Sequence, residues 1–150
     1  VAIKYAVVRD DPGRDAYLDA ILQEVPRGMV VSGIGERPAI VHLRDFGLVS
    51  FTTGSGCIAP RLSMTLLDLL KRKRYDEAEA VRAAFLPLED ARDDISPIRV
   101  LHDAVMLAGV ADTGPMLPLL SGLSPDERAR VAPVAKTLLE RDRARAALAA

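Results

Sequence analysis

The amino-acid sequence predicts an α/β fold with parallel strands, followed by a region that is helical only. Within residues 1–56, three short apolar segments alternate with two segments whose apolar residues recur at helical spacing. This strand–helix–strand–helix–strand order is typical of parallel α/β architecture. Beyond residue 60 the helical spacing continues without another strand-like segment.

The three predicted strands are short and almost entirely apolar. They comprise Val1–Val7, Met29–Gly33 and Gly47–Phe51. Strands of this composition are expected where both faces of a sheet are covered by other elements. Because three parallel strands make a poor sheet on their own and cannot close a barrel, we expect them to belong to a larger sheet.

The predicted helices share an apolar stripe at a spacing of three to four residues. They comprise Asp15–Val25, Glu36–Asp45, Leu62–Lys73, Asp76–Ile95, Pro97–Ala108 and a final helix from Ser124 towards Leu148. Pro87 is expected to disturb the fourth of these helices. Ser124, Pro125 and Glu127 form a capping box with proline at the first helical position, which predicts the start of the last helix.

The charge balance and the few metal-binding residues exclude several classes of function. Twenty Lys and Arg residues against 21 Asp and Glu give a net charge of −1. The chain therefore has no excess of positive charge that would attract nucleic acid or an anionic membrane. One cysteine cannot form an intrachain disulfide, and together with two histidines it does not suit a structural zinc site. No apolar run reaches the roughly 18 residues needed to span a bilayer. We therefore expect a soluble, cytoplasmic protein without metal or cofactor that binds neither nucleic acid nor membrane.

Four short motifs each have a structural interpretation. Gly33-Ile34-Gly35 lacks the third glycine and the acidic residue of a dinucleotide-binding fingerprint. The loop Thr52–Gly56 is compatible with a phosphate cradle or with a tight turn that needs a positive φ, and the sequence leaves both open.

The basic run Lys71–Arg74 is expected to interact favourably with the negative end of the helix dipole at the C-terminus of its helix. Cys57 has no base that the sequence places beside it, so we interpret it as structural.

Lys4 is an unusual reactive group, because it stands in the middle of an apolar strand. A buried ammonium group without a partner is costly. One interpretation is that Lys4 lies at a strand end and extends its amine to water. The other is a lysine activated by burial, whose neutral amine attacks a carbonyl carbon. The strand alone leaves both interpretations open.

Taken together, the segments resemble the C-terminal half of the dihydrodipicolinate synthase / N-acetylneuraminate lyase family. Ala2-Ile3-Lys4 resembles the family's Schiff-base strand, of the form Gly-Ile-Lys. Val30-Val31-Ser32-Gly33 resembles its next strand, which ends in Leu-Ser-Gly-Asp, and Gly47–Phe51 resembles the last barrel strand, Gly-Val-Ile-Ser-Val. Further matches in the helical region are Phe85–Leu88, Ser96–Ile98 and Leu107–Val110. The matches are collinear over nearly all of the chain.

The resemblance implies a (β/α)8 TIM barrel, of which this chain holds about strands six to eight. Residues 1–60 would be the C-terminal part of the barrel, and residues 61–150 the last barrel helix and a C-terminal helical region. The implied activity is that of a lyase of aldolase or dehydratase type, acting on pyruvate or a related 2-oxo acid or sugar acid. A homo-oligomer, either a tetramer or a dimer, is also implied.

The resemblance also assigns roles to single residues. Lys4 would be the catalytic lysine that forms a Schiff base with the keto group of the substrate. Gly33 and Val49 would border the substrate through main-chain contacts, since barrel sites lie at the C-terminal ends of strands. If Lys4 points into the barrel, the small residue Ala6 shares its face and Tyr5 points towards the outer helices.

Three departures from the family's pattern favour a sugar-acid aldolase or dehydratase over the activities that give the family its name. Tyr5–Arg9 replaces an acidic or small polar run, Ile34-Gly35 replaces the acid after Ser-Gly, and Gly54 stands where an Asn often follows the last strand. The family's proton-relay tyrosine and its Gly-Thr-Thr-Gly-Glu motif lie upstream of the lysine strand. We therefore expect this chain to be the later part of a longer protein and to be catalytically incomplete alone. The alternative is a non-catalytic barrel relative, or a half-barrel, that acts by self-association.

Overall fold

The computed structural model describes residues 1–147, which fall into two compact units. The first unit comprises Val1–Thr53 and Met64–Arg82, and the second comprises Gly54–Ser63 and the chain from Ala83 onward. The α-helices in these residues are α1 (Ala16–Glu24), α2 (Ala39–Arg44), α3 (Pro60–Lys71), α4 (Tyr75–Arg82), α5 (Leu86–Asp94), α6 (Pro97–Leu107) and α7 (Pro125–Ala147).

The first unit contains two parallel strands, β1 (Ile3–Tyr5) and β2 (Val30–Ser32). Their register places Lys4 opposite Val31 and Tyr5 opposite Ser32. A turn of 3-10 helix at Arg27–Met29 leads into β2, so this strand begins one residue later than predicted. The parallel orientation of the two strands agrees with the predicted α/β architecture.

The third predicted strand, Gly47–Phe51, is reduced to one parallel bridge between Phe51 and Ser32. The main-chain N–H of Ser32 donates to Ser50 O at 3.1 Å, which continues the sheet at this point. At the beginning of the segment, Leu48 N–H donates instead to His42 O at 3.1 Å. The beginning of the segment is therefore hydrogen-bonded to α2, and only its end is hydrogen-bonded to β2. These bonds to β2 are too few to form a regular strand.

The expectation that Val1–Val7 is a buried strand is wrong. β1 has three residues, of which only Tyr5 is buried, whereas Ile3 and Lys4 are exposed. Within the described residues β1 pairs on one edge only, with β2, and the side chain of Lys4 is exposed. An apolar sequence predicts that both faces of a strand are buried, but it does not identify the elements that pack against those faces.

Two apolar clusters form the core of the first unit. One lies on the side of the sheet that faces α1 and consists of Tyr5, Leu18, Val30, Phe46 and Leu48. The other joins α2, α3 and α4 through Ala39, Ile40, Leu66, Leu69, Leu70 and Ala78. α1 begins where it was predicted, since Asp15 is its N-cap and accepts a hydrogen bond from Leu18 N–H at 3.0 Å. α2 is shorter than predicted and begins only after Pro38.

In the second unit, α5, α6 and α7 contact one another pairwise. Their buried apolar residues include Leu88, Ala91, Val100, Ala104, Val131, Ala135, Leu138 and Leu139. The predicted capping box starts α7: Ser124 N–H donates to Glu127 Oε2 at 2.7 Å, and Glu127 N–H donates to Ser124 Oγ at 3.3 Å. The predicted end of this helix near Leu148 lies outside the described residues.

A buried carboxylate connects the beginning of α3 to α7. Asp142 accepts a hydrogen bond from Leu62 N–H at 2.8 Å, and Arg61 Nη1 lies 3.1 Å from its other oxygen. The first N–H groups of a helix have no partner within the helix itself. Asp142 therefore supplies, from a distant part of the chain, the acceptor that the start of α3 requires.

The predicted helix Asp76–Ile95 is in fact two helices, α4 and α5. Residues 83–85 interrupt the helical pattern, and Pro87 lies in the first turn of α5. Proline lacks an N–H and clashes with the carbonyl four residues earlier, so it is tolerated at a helix start but not in its interior. Pro87 therefore begins a helix rather than bending one.

Gly54 in the loop Thr52–Gly56 approaches α6 closely. A Cβ at this position would collide with a terminal methyl group of Leu101. The backbone of Gly54 has a φ of −86°, so the glycine is needed for close packing and not for a left-handed conformation. Neither glycine of this loop has a positive φ, so the interpretation of a turn that needs one is wrong, whereas the phosphate cradle stays a prediction.

Candidate active site

The register of the sheet places Lys4 and Tyr5 on opposite faces, because successive residues of a strand alternate in direction. Tyr5 is 3% exposed and packs with Leu18 of α1 and Val30 of β2. Lys4 therefore lies on the face turned away from α1, with Val31 beside it on β2. Tyr5 was predicted to face the helices and Lys4 to face away from them, and the two side chains have this arrangement relative to α1.

Gly33 lies directly against the side chain of Lys4. Its N–H donates to Tyr5 O at 2.6 Å, which continues the β1–β2 ladder by one step. A Cβ built on Gly33 would lie 2.8 Å from Lys4 Cγ and 2.6 Å from Tyr5 O. Because real Cβ atoms do not approach other atoms so closely, only glycine at position 33 permits this position of the Lys4 side chain.

Behind the sheet, the hydroxyl of Tyr5 donates to the buried carboxylate of Asp15. Arg9 lies on the same carboxylate, with Nε 3.1 Å from Oδ2 and Nη2 3.2 Å from Oδ1. Burial, together with the hydrogen bond to Asp15 and its negative charge, raises the pKa of Tyr5 to about 12. Burial also acts to raise the pKa of Asp15, but the hydrogen bonds from Arg9, Tyr5 and Leu18 N–H outweigh it and lower that pKa. The tyrosine is thus neutral and the aspartate ionised at neutral pH.

A second buried polar pair anchors β2 on the same side of the sheet. Ser32 Oγ and His42 Nδ1 are 2.8 Å apart, and both residues are buried. The His42 ring also contacts the rings of Tyr5 and Phe46 edge-on, each with a centroid separation of 6.0 Å. Burial lowers the pKa of His42, so the imidazole is neutral near pH 7.

Val49, the third residue predicted to border the substrate, lies in the irregular part of the third segment. Its side chain is 50% exposed, whereas its neighbour Leu48 is buried with Tyr5 and Leu18. Val49 therefore faces away from the cluster that lies between the sheet and α1. Its contact with a substrate stays a prediction, as does the catalytic role of Lys4.

Reasoning from the sequence missed the two polar pairs behind the sheet. Asp15 was recognised as the start of α1 but not as the partner of Tyr5. One signal was available: Ser32 is a polar residue in an apolar strand, and His42 lies among the inward-facing residues of α2. A buried polar residue requires a hydrogen-bond partner, so Ser32 and His42 each predict a polar partner in the core.

Within residues 1–147, no three His, Cys, Asp or Glu side chains are grouped so that they could hold a metal ion. None of the helices in the same part of the chain is long and apolar enough to cross a membrane. The reactive group that Lys4 contributes to the exposed face of the sheet is a primary amine.

No protein-family model and no curated protein sequence matches this chain. Its structure is similar to the crystal structure of dihydrodipicolinate synthase from Oceanobacillus iheyensis, with a TM-score of 0.75 and 24% sequence identity. The match covers 91% of this chain and 45% of that chain, so this chain spans less than half the length of the enzyme. At this identity the similarity shows the fold, which is consistent with part of a (β/α)8 barrel.

Proposed function

We propose that the protein carrying this chain is a lyase of aldolase or dehydratase type that forms a Schiff base between Lys4 and pyruvate or a related 2-oxo acid. The observation that carries this proposal is the position of Lys4, on the open face of a parallel sheet and directly against Gly33. In (β/α)8 barrels the catalytic groups lie at the C-terminal ends of strands. Lys4 is one residue from the end of β1, and Gly33 directly follows β2. The similarity to part of a dihydrodipicolinate synthase supports the same assignment.

The proposed chemistry begins when the amine of Lys4, after its ammonium proton has passed to solvent, attacks the keto carbon of the 2-oxo acid. A carbinolamine forms, takes up a proton from solvent, loses water, and becomes a protonated imine. The imine withdraws electrons from the adjacent carbon, so that a proton can be removed there and an enamine results. The enamine either adds to an aldehyde carbon, as in an aldol reaction, or expels a leaving group from the next carbon, as in a dehydration. Hydrolysis of the imine then releases the product and restores the amine.

We also propose that the substrate lies against the main chain of Gly33 and Val49. Gly33 has no side chain to obstruct a small molecule, and the side chain of Val49 is turned away from the core. Ala2 and Ala6 alternate with the residues of the buried face and are exposed, so their small side chains leave space beside Lys4. A compact 2-oxo acid suits such surroundings.

Trapping of the imine tests this proposal. The full-length protein is incubated with pyruvate and other 2-oxo acids, reduced with borohydride, and digested, and the modified lysine is located by mass spectrometry. We expect the adduct on Lys4 and its loss in Lys4→Met. Lys136→Met, which replaces an exposed lysine of α7, is the matched control and should retain it. Absence of an adduct with every 2-oxo acid, or an adduct on another lysine, would contradict the proposal.

A second candidate function is self-association without catalysis. It is favoured by the connection between α6 and α7, where Leu117 and Leu119 are 77% and 91% exposed. Large apolar side chains exposed next to each other are typical of surfaces that bind other proteins. A homo-oligomer is compatible with both candidates, and light scattering of the wild type and of Leu119→Ser would detect it. A monomeric wild type would contradict this second candidate, whereas a Lys4 adduct would favour the first.

A further inference from the structure

A continuous buried connection joins α1 to the strand that carries Lys4. The carboxylate of Asp15 caps α1 through Leu18 N–H at 3.0 Å and accepts the hydroxyl hydrogen of Tyr5. Both residues are almost fully buried, with exposures of 2% for Asp15 and 3% for Tyr5. We call this hydrogen bond between Tyr5 and Asp15 the Tyr5–Asp15 tie.

The main chain of Tyr5 transmits the effect of this tie to the other face of the sheet. Tyr5 O accepts the hydrogen bond from Gly33 N–H at 2.6 Å. Gly33, in turn, lies so close to Lys4 that a Cβ on the glycine would be 2.8 Å from Lys4 Cγ. A displacement of the Tyr5 main chain would therefore move Gly33 and change its contact with the aliphatic part of the Lys4 side chain.

The two strands at the site are anchored separately. β2 has its own anchor behind the sheet, the Ser32–His42 pair with an Oγ–Nδ1 distance of 2.8 Å. β1 is three residues long, so the few ladder bonds that it forms with β2 constrain it weakly. The Tyr5–Asp15 tie is thus the side-chain hydrogen bond that fixes β1 relative to α1.

We propose that Tyr5 and Asp15 are positioning residues for Lys4, which hold its side chain against Gly33 in the geometry required for imine formation. This inference rests on the proposed function, because it assigns a role in the same reaction. A misplacement of about 1 Å in a reacting group costs up to about 100-fold in rate. Loss of the tie is therefore expected to slow imine formation by about tenfold or more.

Two substitutions remove the tie from opposite sides. Tyr5→Phe deletes the hydroxyl and retains the ring in the core. Asp15→Ser retains an N-cap for α1, because serine is a favourable residue at that position, but is too short to reach Tyr5. Tyr17→Phe is the matched control, since it deletes the hydroxyl of an exposed tyrosine whose ring contacts Tyr5 at a centroid separation of 6.2 Å.

The first measurement is the rate of borohydride-trapped adduct formation with pyruvate, under conditions in which each variant is fully folded. We expect Tyr5→Phe and Asp15→Ser to be slower than wild type by about tenfold or more, and Tyr17→Phe to be unchanged. The double variant should be no slower than the slower single variant, because both changes remove one interaction. Wild-type rates in Tyr5→Phe, or additive effects in the double variant, would overturn the inference while leaving the proposed function in place.

The second measurement does not depend on catalysis. In protein labelled at lysine and glycine, a nuclear Overhauser effect between Gly33 Hα and Lys4 Hγ reports their contact directly. We expect it in wild type and Tyr17→Phe, and its loss in Tyr5→Phe and Asp15→Ser. If wild type forms no adduct, the proposed function fails and this signal alone decides whether the tie positions Lys4. A signal that persists in Tyr5→Phe overturns the positioning role.

Discussion

Asp142 and Leu62 are 80 residues apart in the sequence, yet the Asp142 carboxylate accepts the Leu62 backbone N–H at 2.8 Å. The carboxylate is buried, and Arg61 at 3.1 Å balances its charge from a more exposed position. Asp142→Ala is expected to lower the free energy of unfolding by about 2 kcal/mol, because a helix loses its cap and a buried N–H loses its acceptor. Urea denaturation followed by circular dichroism measures this change.

The control for Asp142 is an exposed ion pair in the same unit. Asp94 and Arg130 are 2.6 Å apart, and both are more than half exposed. Asp94→Ala should change the free energy of unfolding by less than about 0.5 kcal/mol, since exposed pairs contribute little. Equal changes in the free energy of unfolding for the two substitutions would show that Asp142 contributes no more to stability than an exposed ion pair does.

Lys73→Gly is expected to stabilise the protein. Lys73 has a φ of +59°, a left-handed conformation that costs a residue with a Cβ about 1 kcal/mol or more. Arg74 N–H donates to Leu69 O at 2.9 Å and Lys73 N–H to Leu70 O at 3.0 Å, the pattern that ends a helix and favours glycine at this position. A gain of about 0.5 kcal/mol or more in the free energy of unfolding is expected. Lys71→Gly, at the last residue of α3, where φ is not positive, should instead destabilise the protein.

Tyr5 is expected to ionise later than an ordinary tyrosine. Its pKa is raised to about 12 by burial and by the adjacent Asp15 carboxylate. In the unfolded chain Tyr5 ionises near pH 10, so the stability contributed by its neutral form is complete below pH 10 and is lost as pH rises towards about 12. Ultraviolet titration of the native protein should show a late tyrosinate step that Tyr5→Phe removes and Tyr17→Phe retains. A late step that survives in Tyr5→Phe would contradict the assignment.

His42 is expected to make the protein less stable in weak acid. Burial lowers its pKa, and the negative charge of Asp15 offsets this only in part. As pH falls below about 6.5, the unfolded chain binds a proton at this histidine while the folded chain does not, so the free energy of unfolding decreases. Urea denaturation between pH 8 and pH 5 measures the slope. His42→Asn, which keeps a partner for Ser32, should flatten it.

Gly33→Ala is expected to abolish or strongly reduce the borohydride-trapped adduct on Lys4. The added Cβ would lie 2.8 Å from Lys4 Cγ and 2.6 Å from Tyr5 O, so the lysine stem and the strand must shift. Gly28→Ala is the matched control, because a Cβ there has nothing within 4 Å. Wild-type adduct formation in Gly33→Ala would show that the close contact does not set the position of Lys4.

The sequence predicts the local features of this fold well and the interactions between distant residues poorly. The start of α1 at Asp15 and the capping box at Ser124 depend on a few neighbouring residues, and both lie where the sequence predicts them. The exposure of Lys4 depends instead on which parts of the chain cover β1, and an apolar run contains no information on that. The Ser32–His42 pair joins a strand to a helix, so it becomes visible only when the two are packed.

Gly54 and Leu101 lie so close together that the position of the Leu101 side chain limits the size of the residue at position 54. Any residue larger than glycine at position 54 requires a smaller or differently placed side chain at position 101. A larger residue at position 54 is therefore expected to be tolerated best together with a shorter side chain at position 101. In relatives of this chain, alanine or asparagine at the first position is expected together with a shorter side chain at the second. Glycine at position 54 is then expected to occur together with a long side chain at the position of Leu101 on α6.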